Sequence, residues 1–306
     1  MPSSIRPQPV VGPPAPSAVF LVATVEPGGE SAVRELLHGL SGLVRALGFP
    51  HPGGGLTCVA GVGSAAWDRL FGHPRPAGLH PFRELTGARH RAVSTPGDLL
   101  FHIRAARQDL CFALSTEILK TLRGAITVQD EVQAFSWFDA RNLLGFVDGT
   151  ENPVGPDASL AALVDEEDSG FRGGGYVVVQ KYLHDLDAWE ALTVEAQERV
   201  IGRSKQDNLE LDVPGSHVDI NTVTGPDGEP LEILRAALPF GRPGHGEFGT
   251  YFLAYARTPD VIETMLGRMF LGSPHSGPDP ILDYSRAVTG TLFFAPSADF
   301  LAALKS

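Results

Sequence analysis

Near the middle of a 306-residue chain, the apolar approach Leu144-Gly145-Phe146-Val147 ends in Asp148, followed by Gly149-Thr150-Glu151-Asn152-Pro153. A carboxylate delivered between glycines suits a plain Asp-Gly turn or an acid–base group presented to a cleft. Its partners decide between the two. Of the ten histidines, His38 falls on a predicted helix, His51, His73, His80, His90, His245 and His275 fall in Gly/Pro-rich loops, and His102 and His184 sit beside predicted strands. None forms an HxxxH or HxH pair, so a multi-histidine zinc or di-iron centre lacks its ligands. A haem iron needs only one protein imidazole and leaves its other face open. His217 has the best context for such a ligand, because it follows the turn-forming Pro214-Gly215-Ser216 and opens an alternating segment, Val218-Asp219-Ile220-Asn221-Thr222, which predicts a strand. Taken alone, the same context favours an ordinary hydrogen-bonded loop histidine.

The elements that must position these residues follow from hydrophobic periodicity. Residues 18–25 read as a buried strand, 29–47 as a helix with apolar residues at Val33, Leu36, Leu37, Leu40, Val44 and Leu47, 56–62 as a strand and 64–71 as a short helix. After a Pro/Gly/His-rich loop (72–97) come a strand at 99–105, a helix at 109–122 and a strand at 126–137. Apart from the short helix the order is β-α-β-β-α-β, the split βαβ or ferredoxin-like arrangement. The second half repeats it more loosely: strand 176–183, helix 192–203 with Thr193 as N-cap, strands 231–236 and 248–256, helix 259–270 and strand 290–295. The expected architecture is α+β, with two ferredoxin-like domains at 17–144 and 145–306 preceded by a flexible Pro-rich arm at 1–16. Asp148 then lies in the connection, where clefts between domains form.

Composition narrows the function. The 24 Lys+Arg against 36 Asp+Glu give a net charge of −12 and no basic cluster, which argues against nucleic acid and anionic membrane surfaces as partners. The two cysteines, Cys58 and Cys111, lie in separate apolar stretches and read as a buried reduced pair. No run approaches the ~20 apolar residues of a membrane-spanning helix. The first twenty residues hold neither a twin arginine nor a signal-like apolar core, so a cytoplasmic location is expected.

Three motifs together carry a resemblance: Gly145-Phe146-Val147-Asp148-Gly149 with Thr150-Glu151-Asn152-Pro153, then Ser216-His217-Val218, then Ile233-Leu234-Arg235 with Leu238-Pro239-Phe240-Gly241. They resemble the dye-decolourising peroxidases, and most closely the bacterial B-type group. Tyr176-Val177-Val178-Val179-Gln180-Lys181-Tyr182, Gly202-Arg203-Ser204-Lys205, Phe248-Gly249-Thr250-Tyr251-Phe252, Met269-Phe270-Leu271-Gly272 and Thr291-Leu292-Phe293-Phe294 extend the likeness, in family order, over nearly the whole chain. The resemblance implies the dimeric α+β barrel superfamily, haem b as cofactor, hydrogen peroxide as oxidant, and a ferryl intermediate that oxidises a small-molecule reductant such as a dye, a phenolic or Mn(II). It also implies a homo-oligomer.

Residue by residue, the resemblance makes His217 the axial iron ligand, and Asp148 and Arg235 the groups on the open face. Asp148 would move a proton between the peroxide oxygens, its ionised form favoured by Arg235, while Arg235 would orient peroxide and stabilise charge as the O–O bond breaks. A carboxylate on the far nitrogen of His217 would strengthen it as a donor, and Asp283 is the expected one. Asp219, nearer in sequence, would lie about 7 Å along the same strand and is set aside. Gly145 and Gly149 would let the backbone approach the porphyrin. Arg203 is the expected propionate partner, although a helix C-terminal arginine complementing the dipole is the plainer alternative. Thr150, Glu151 and Asn152 supply further donors, Phe240 and Phe252 are candidates to line the porphyrin, and Trp137, Trp189, Tyr251 and Tyr284 form the pool for electron relays.

One position departs from the B-type pattern. Those enzymes carry Arg, one residue, then Asn, whereas Arg235-Ala236-Ala237 places alanine third. Strand alternation keeps Ala237 on the face of Arg235, so the pocket lacks an amide that would bond distal water or peroxide. Two other readings compete: a haem-handling protein of the deferrochelatase or storage kind, and a non-haem binding module of the same superfamily. The second leaves Asp148, His217 and Arg235 without a shared purpose.

Overall fold

The computed structural model describes residues 5–225, 228–273 and 276–304; His275 and the terminal Lys305 and Ser306 lie outside them. The first half runs β1 (Ser17–Val25), α1 (Glu30–Gly48), β2 (Thr57–Gly63), α2 (Ser64–Phe71), β3 (Leu85–Thr86), β4 (Arg91–Ala92), β5 (Leu99–Ala105), α3 (Gln108–Thr121) and β6 (Ile126–Phe135). After it come α4 (Pro156–Ala162), β7 (Gly175–His184), α5 (Leu186–Glu190), α6 (Val194–Ile201), α7 (His217–Asn221), β8 (Leu234–Arg235), β9 (Leu238–Arg242), β10 (Glu247–Ala256), α8 (Pro259–Leu271), β11 (Ser285–Ala287), β12 (Thr291–Ala295) and α9 (Ala298–Ala302).

Among the described residues, ten strands join one sheet in the order β6-β1-β5-β2-β12-β7-β10-β8, with β11 beside β7 and β9 beside β10. Each group of four, β6-β1-β5-β2 and β12-β7-β10-β8, has the ferredoxin-like order, and every ladder is antiparallel. The seam is narrow: Phe293 and Phe294 of β12 pair with Gly63 and Val62 of β2, while β9 packs against β6 on the opposite side. The last strand of the chain therefore sews its second half to its first.

Period-2 alternation sorts the side chains of β10. Tyr251, Leu253 and Tyr255 enter the inner apolar layer, where Tyr251 stacks on Phe20 with ring centroids 4.2 Å apart. Thr250 and Phe252 point the other way, into a cavity. Cys58 and Cys111 are free and buried. No described helix is long and apolar enough to cross a membrane.

Four expectations change. The Pro-rich arm is docked rather than flexible from Gln8 onward: the Gln8 amide bonds both backbone groups of Ala60 and the Pro296 carbonyl, each at 2.8 Å, and Val10 is buried. The loop at 72–97 holds the two-stranded ribbon β3–β4. The segment opened by His217 is helical, because Ser216 acts as N-cap and its Oγ accepts from the Asp219 N–H at 3.3 Å. Ser216-His217-Val218-Asp219 is itself a capping pattern, and it overrides the two-residue alternation. The strand expected at 231–236 shrinks to β8 for a related reason: the Asn152 side chain supplies bonds that a neighbouring strand would otherwise supply.

Candidate functional site

The loop that carries Asp148 is folded on itself. Arg141 bridges to Trp137 and Val147, the Asn142 Oδ1 accepts from the N–H groups of Leu144 and Phe146 at 3.1 and 3.2 Å, and the Asp148 N–H donates to the Ala140 carbonyl at 2.9 Å. Leu144 and Phe146 anchor it in a small core with Trp189 and Ile201. Gly145 has φ +89°, and a Cβ there would lie 2.6 Å from Lys205 Cε. Its need for glycine is therefore this turn and this neighbour, not a close approach to the cavity. Gly149 (φ +74°) does line the cavity and donates its N–H to Asp148 Oδ1 at 2.9 Å.

Asn152 ties this loop to the strand that carries Arg235. Its amide nitrogen donates to the Arg235 carbonyl and its oxygen accepts from the Arg235 N–H, both at 2.8 Å. One side chain thereby imitates an adjacent strand and fixes Arg235 against the Asp148 loop, so Asn152 is occupied and is not a spare cofactor donor. Ala237 lies beyond the end of β8 yet faces the same cavity as Arg235 and Asp148. The expectation for its side holds through the loop's path rather than through strand alternation.

The guanidinium of Arg235 has no hydrogen-bond or ion-pair partner among the described residues. Burial pushes its pKa down, and the charges of Asp148 and Glu151 oppose that. Burial likewise raises the Asp148 pKa above the ordinary carboxylate range; the Gly149 N–H and the charges of Arg235 and His217 pull it back only in part. Arg235 thus fails to offset the burial that disfavours the ionised carboxylate. The two groups share a cavity without forming a closed pair.

His217 faces this cavity from α7. Its Nδ1–H donates to Asp279 Oδ2 at 2.7 Å, and the Asp279 side chain is fully buried. Burial disfavours the charged ring, but the charge and hydrogen bond of Asp279, with help from Asp148, outweigh it and raise the His217 pKa. With Nδ1 carrying the proton, the Nε2 lone pair is free for a metal.

Asp283 is not that carboxylate. Asp279 N-caps the 3₁₀ turn Pro280–Asp283, accepting from the Ile281 N–H at 3.0 Å, and the turn carries Asp283 away to Arg89 (2.7 Å) and His90 (3.0 Å). Asp219 is excluded differently from expectation, since its Oδ2 caps the preceding turn at the Gly215 N–H, 2.7 Å away.

Arg203 lines the cavity, buried, with Nη1 donating to the Asn208 carbonyl at 2.9 Å and Nη2 bonded to Glu151; Glu210 lies 3.5 Å away. Thr150 and Glu151 stand beside it in the lining, as does Phe252. Phe240 does not reach the cavity: it is buried in the inner layer, with Lys181 Nζ 5.0 Å from its ring centroid. Sequence reasoning missed Asp279 and Asn221, and also His184. His184 lines the cavity with both ring nitrogens tied to hydroxyls, Ser285 at 2.6 Å and Thr250 at 2.9 Å, and burial lowers its pKa to about 4.

The cavity has a volume of about 300 Å³, and α8 gives it an apolar wall through Ile262, Met265, Leu266 and Met269. Among the described residues, an apolar slot lined by one imidazole with a free ring nitrogen, a guanidinium without a partner, a carboxylate and a second, buried arginine matches what haem requires.

Comparison with known proteins gives the same direction. The model of the N-terminal Dyp-type peroxidase domain matches residues 7–136, and that of the C-terminal domain matches residues 139–300. A dye-decolorizing peroxidase of Mycobacterium tuberculosis is 55% identical over 97% of this chain and 90% of its own length. The encapsulated DyP-type peroxidase from Mycobacterium smegmatis superposes with a TM-score of 0.97 at 53% identity, covering 99% of both chains. A DypB variant from Rhodococcus jostii RHA1 in complex with heme gives 0.95 at 51%, covering 98% of this chain and 99% of that one. The deferrochelatase of Escherichia coli K12 is more distant, 26% identical over 60% of this chain and 48% of its own length.

Proposed function

The chain belongs to the Dyp-type peroxidase family and is a haem-dependent peroxidase, and from that premise we propose that Asp148, Arg235 and His217 are its working residues. Haem, when bound, supplies the iron that passes electrons to hydrogen peroxide. The Nε2 of His217 would hold that iron, its orientation fixed by Asp279. Arg203 would receive a propionate, exchanging Glu151 for it, with Thr150 and the Gly149 backbone beside it and Phe252 against the ring.

Asp148 Oδ1 is already engaged by the Gly149 N–H, which leaves Oδ2 to take a proton from one peroxide oxygen and return it to the other. Arg235, held by its backbone at Asn152 and free at its guanidinium, would orient the peroxide and neutralise the charge on the departing oxygen. The observation that carries this reading is the unpartnered Arg235 cation sharing one cavity with Asp148 and with a histidine whose far nitrogen is tied to a buried carboxylate.

The reductant we propose is a dye, a phenolic or Mn(II), oxidised at the cavity mouth or through surface aromatics. In the relay pool Trp189 packs edge-on against Tyr284 at 5.2 Å, while Trp137 is the exposed member, 4.3 Å from Phe138. A cytoplasmic homo-oligomer is the proposed setting. The test is peroxide-dependent oxidation of an anthraquinone dye by the haem-reconstituted chain: turnover requiring both haem and peroxide is expected. Haem uptake without turnover would favour the haem-handling reading.

A further inference from the structure

The pair formed by His217 and Asp279 has a third member. Asn221, one turn after His217 on α7, directs its amide nitrogen at the His217 carbonyl (2.8 Å) and at Asp279 Oδ2 (3.2 Å). The nitrogen also lies 3.2 Å from His217 Nδ1, which carries its proton toward Asp279 and accepts nothing from it; the two acceptors, the carbonyl and Oδ2, decide that the nitrogen rather than the oxygen faces them. The same Oδ2 also accepts the Nδ1–H of His217 at 2.7 Å. One carboxylate oxygen therefore serves two donors. The other, Oδ1, accepts from the Ile281 N–H at 3.0 Å. No Lys or Arg among the described residues pairs with Asp279, so these three donors are what offset its buried charge.

We propose that Asn221 is a positioning residue that sets the electron-donating strength of His217 by competing with it for Asp279. The proposal rests on the haem reading of the cavity. A second donor on Oδ2 draws off part of its negative charge, so the carboxylate pulls less on the Nδ1 proton and the ring stays closer to neutral imidazole. Without Asn221 the proton is drawn harder, the ring gains imidazolate character, and a ferric centre is favoured over a ferrous one. The amide's second bond, to the His217 carbonyl, holds it in place for this role.

The experiment is the Fe(III)/Fe(II) midpoint potential of the haem-reconstituted wild type, Asn221→Leu, Asp279→Asn and the double variant. Asn221→Leu should shift the equilibrium about tenfold toward the ferric form, the strength of one hydrogen bond to a charged group, or 59 mV for a one-electron couple. In the Asp279→Asn background the shift should vanish, because the effect passes through that carboxylate. An unchanged potential, a shift the other way, or an equal shift in both backgrounds would overturn the proposal. If leucine prevents folding, Asn221→Ala must show the same sign. In the haem-free protein the Nδ1–H resonance of His217 should move downfield on loss of the amide; an unmoved resonance refutes the proposal without reference to haem. A wild-type chain that takes up no haem would instead defeat the reading of the cavity, and the resonance measurement would still decide the role of Asn221.

Discussion

Replacing Asp279 with alanine takes the acceptor away from three donors at once: the Nδ1–H of His217, the amide of Asn221 and the N–H of Ile281. The carboxylate is fully buried, so water cannot readily take its place. Removing one partner of a buried, hydrogen-bonded pair costs about 3–5 kcal/mol, and about 4 kcal/mol is expected here. Asp283 provides the control. It pairs with the exposed Arg89 and with the half-buried His90 while itself remaining solvent-exposed, and contacts of an exposed carboxylate contribute ~1 kcal/mol or less. The assay is urea denaturation of the haem-free chain followed by tryptophan fluorescence. The pH dependence has a definite sign. Asp279 raises the His217 pKa in the folded state, so the stability it lends through the charged ring is fully present below the ordinary histidine value. That stability is lost as pH rises through the raised one. The Asp279→Ala deficit should therefore be larger at pH 6 than at pH 8.5. Equal losses for Asp279→Ala and Asp283→Ala, or a deficit below about 1 kcal/mol for the former, would refute the assignment of Asp279 as the partner of His217.

Asp148→Asn should stabilise the haem-free chain at neutral pH but not at pH 3, because a carboxyl raised by burial lends stability below its unfolded pKa that is lost as pH rises through the folded one; thermal unfolding checks this. The same variant should slow the peroxide reaction about 100-fold or more, and in the wild type that rate should fall as pH drops through the raised Asp148 pKa. If Arg203 holds a propionate as proposed, Arg203→Ala removes a charge-assisted bond and haem should transfer to apomyoglobin about tenfold faster; an unchanged transfer rate would leave Arg203 as a partner of Glu151 and Glu210 only. Ala237→Asn adds an amide facing Arg235, and the rate of peroxide reaction measured by stopped flow should rise about fivefold, the worth of one net hydrogen bond.

Elements with strong periodicity were legible in the sequence. The bounds expected for α2, β5 and α8 agree with the structure to within a residue, and Thr193 caps α6 as expected, its side chain accepting from the Ala196 N–H. Irregular segments were not, because side chains there replace backbone ladders. Asn152 stands in for a strand beside Arg235, Ser216 converts an alternating run into α7, and Gln8 pins an arm whose prolines suggest mobility. What was legible of the candidate site is that Asp148, Arg235 and His217, each within a recognisable motif, face one cavity. It was not legible for Asp279 over Asp283. The two are four residues apart, and only the geometry of the 3₁₀ turn decides which one points inward. The relevant local signal was Asp279-Pro280, an N-cap before a proline at N1, which marks Asp279 as a turn-initiating residue fixed at the start of an element. The burial that raises Asp148 despite Arg235 depends on the packing of the whole cavity and leaves no trace in local sequence.

The most direct test of Arg235 and Asp148 acting on peroxide beside a His217-held haem is stopped-flow absorbance of the reconstituted chain mixed with hydrogen peroxide, wild type against Arg235→Ala. Rapid conversion of the Soret band in the wild type, slowed about 100- to 1000-fold on loss of the preorganised cation, is the predicted result. A Soret band that converts equally fast in both proteins, or in neither, would contradict the account.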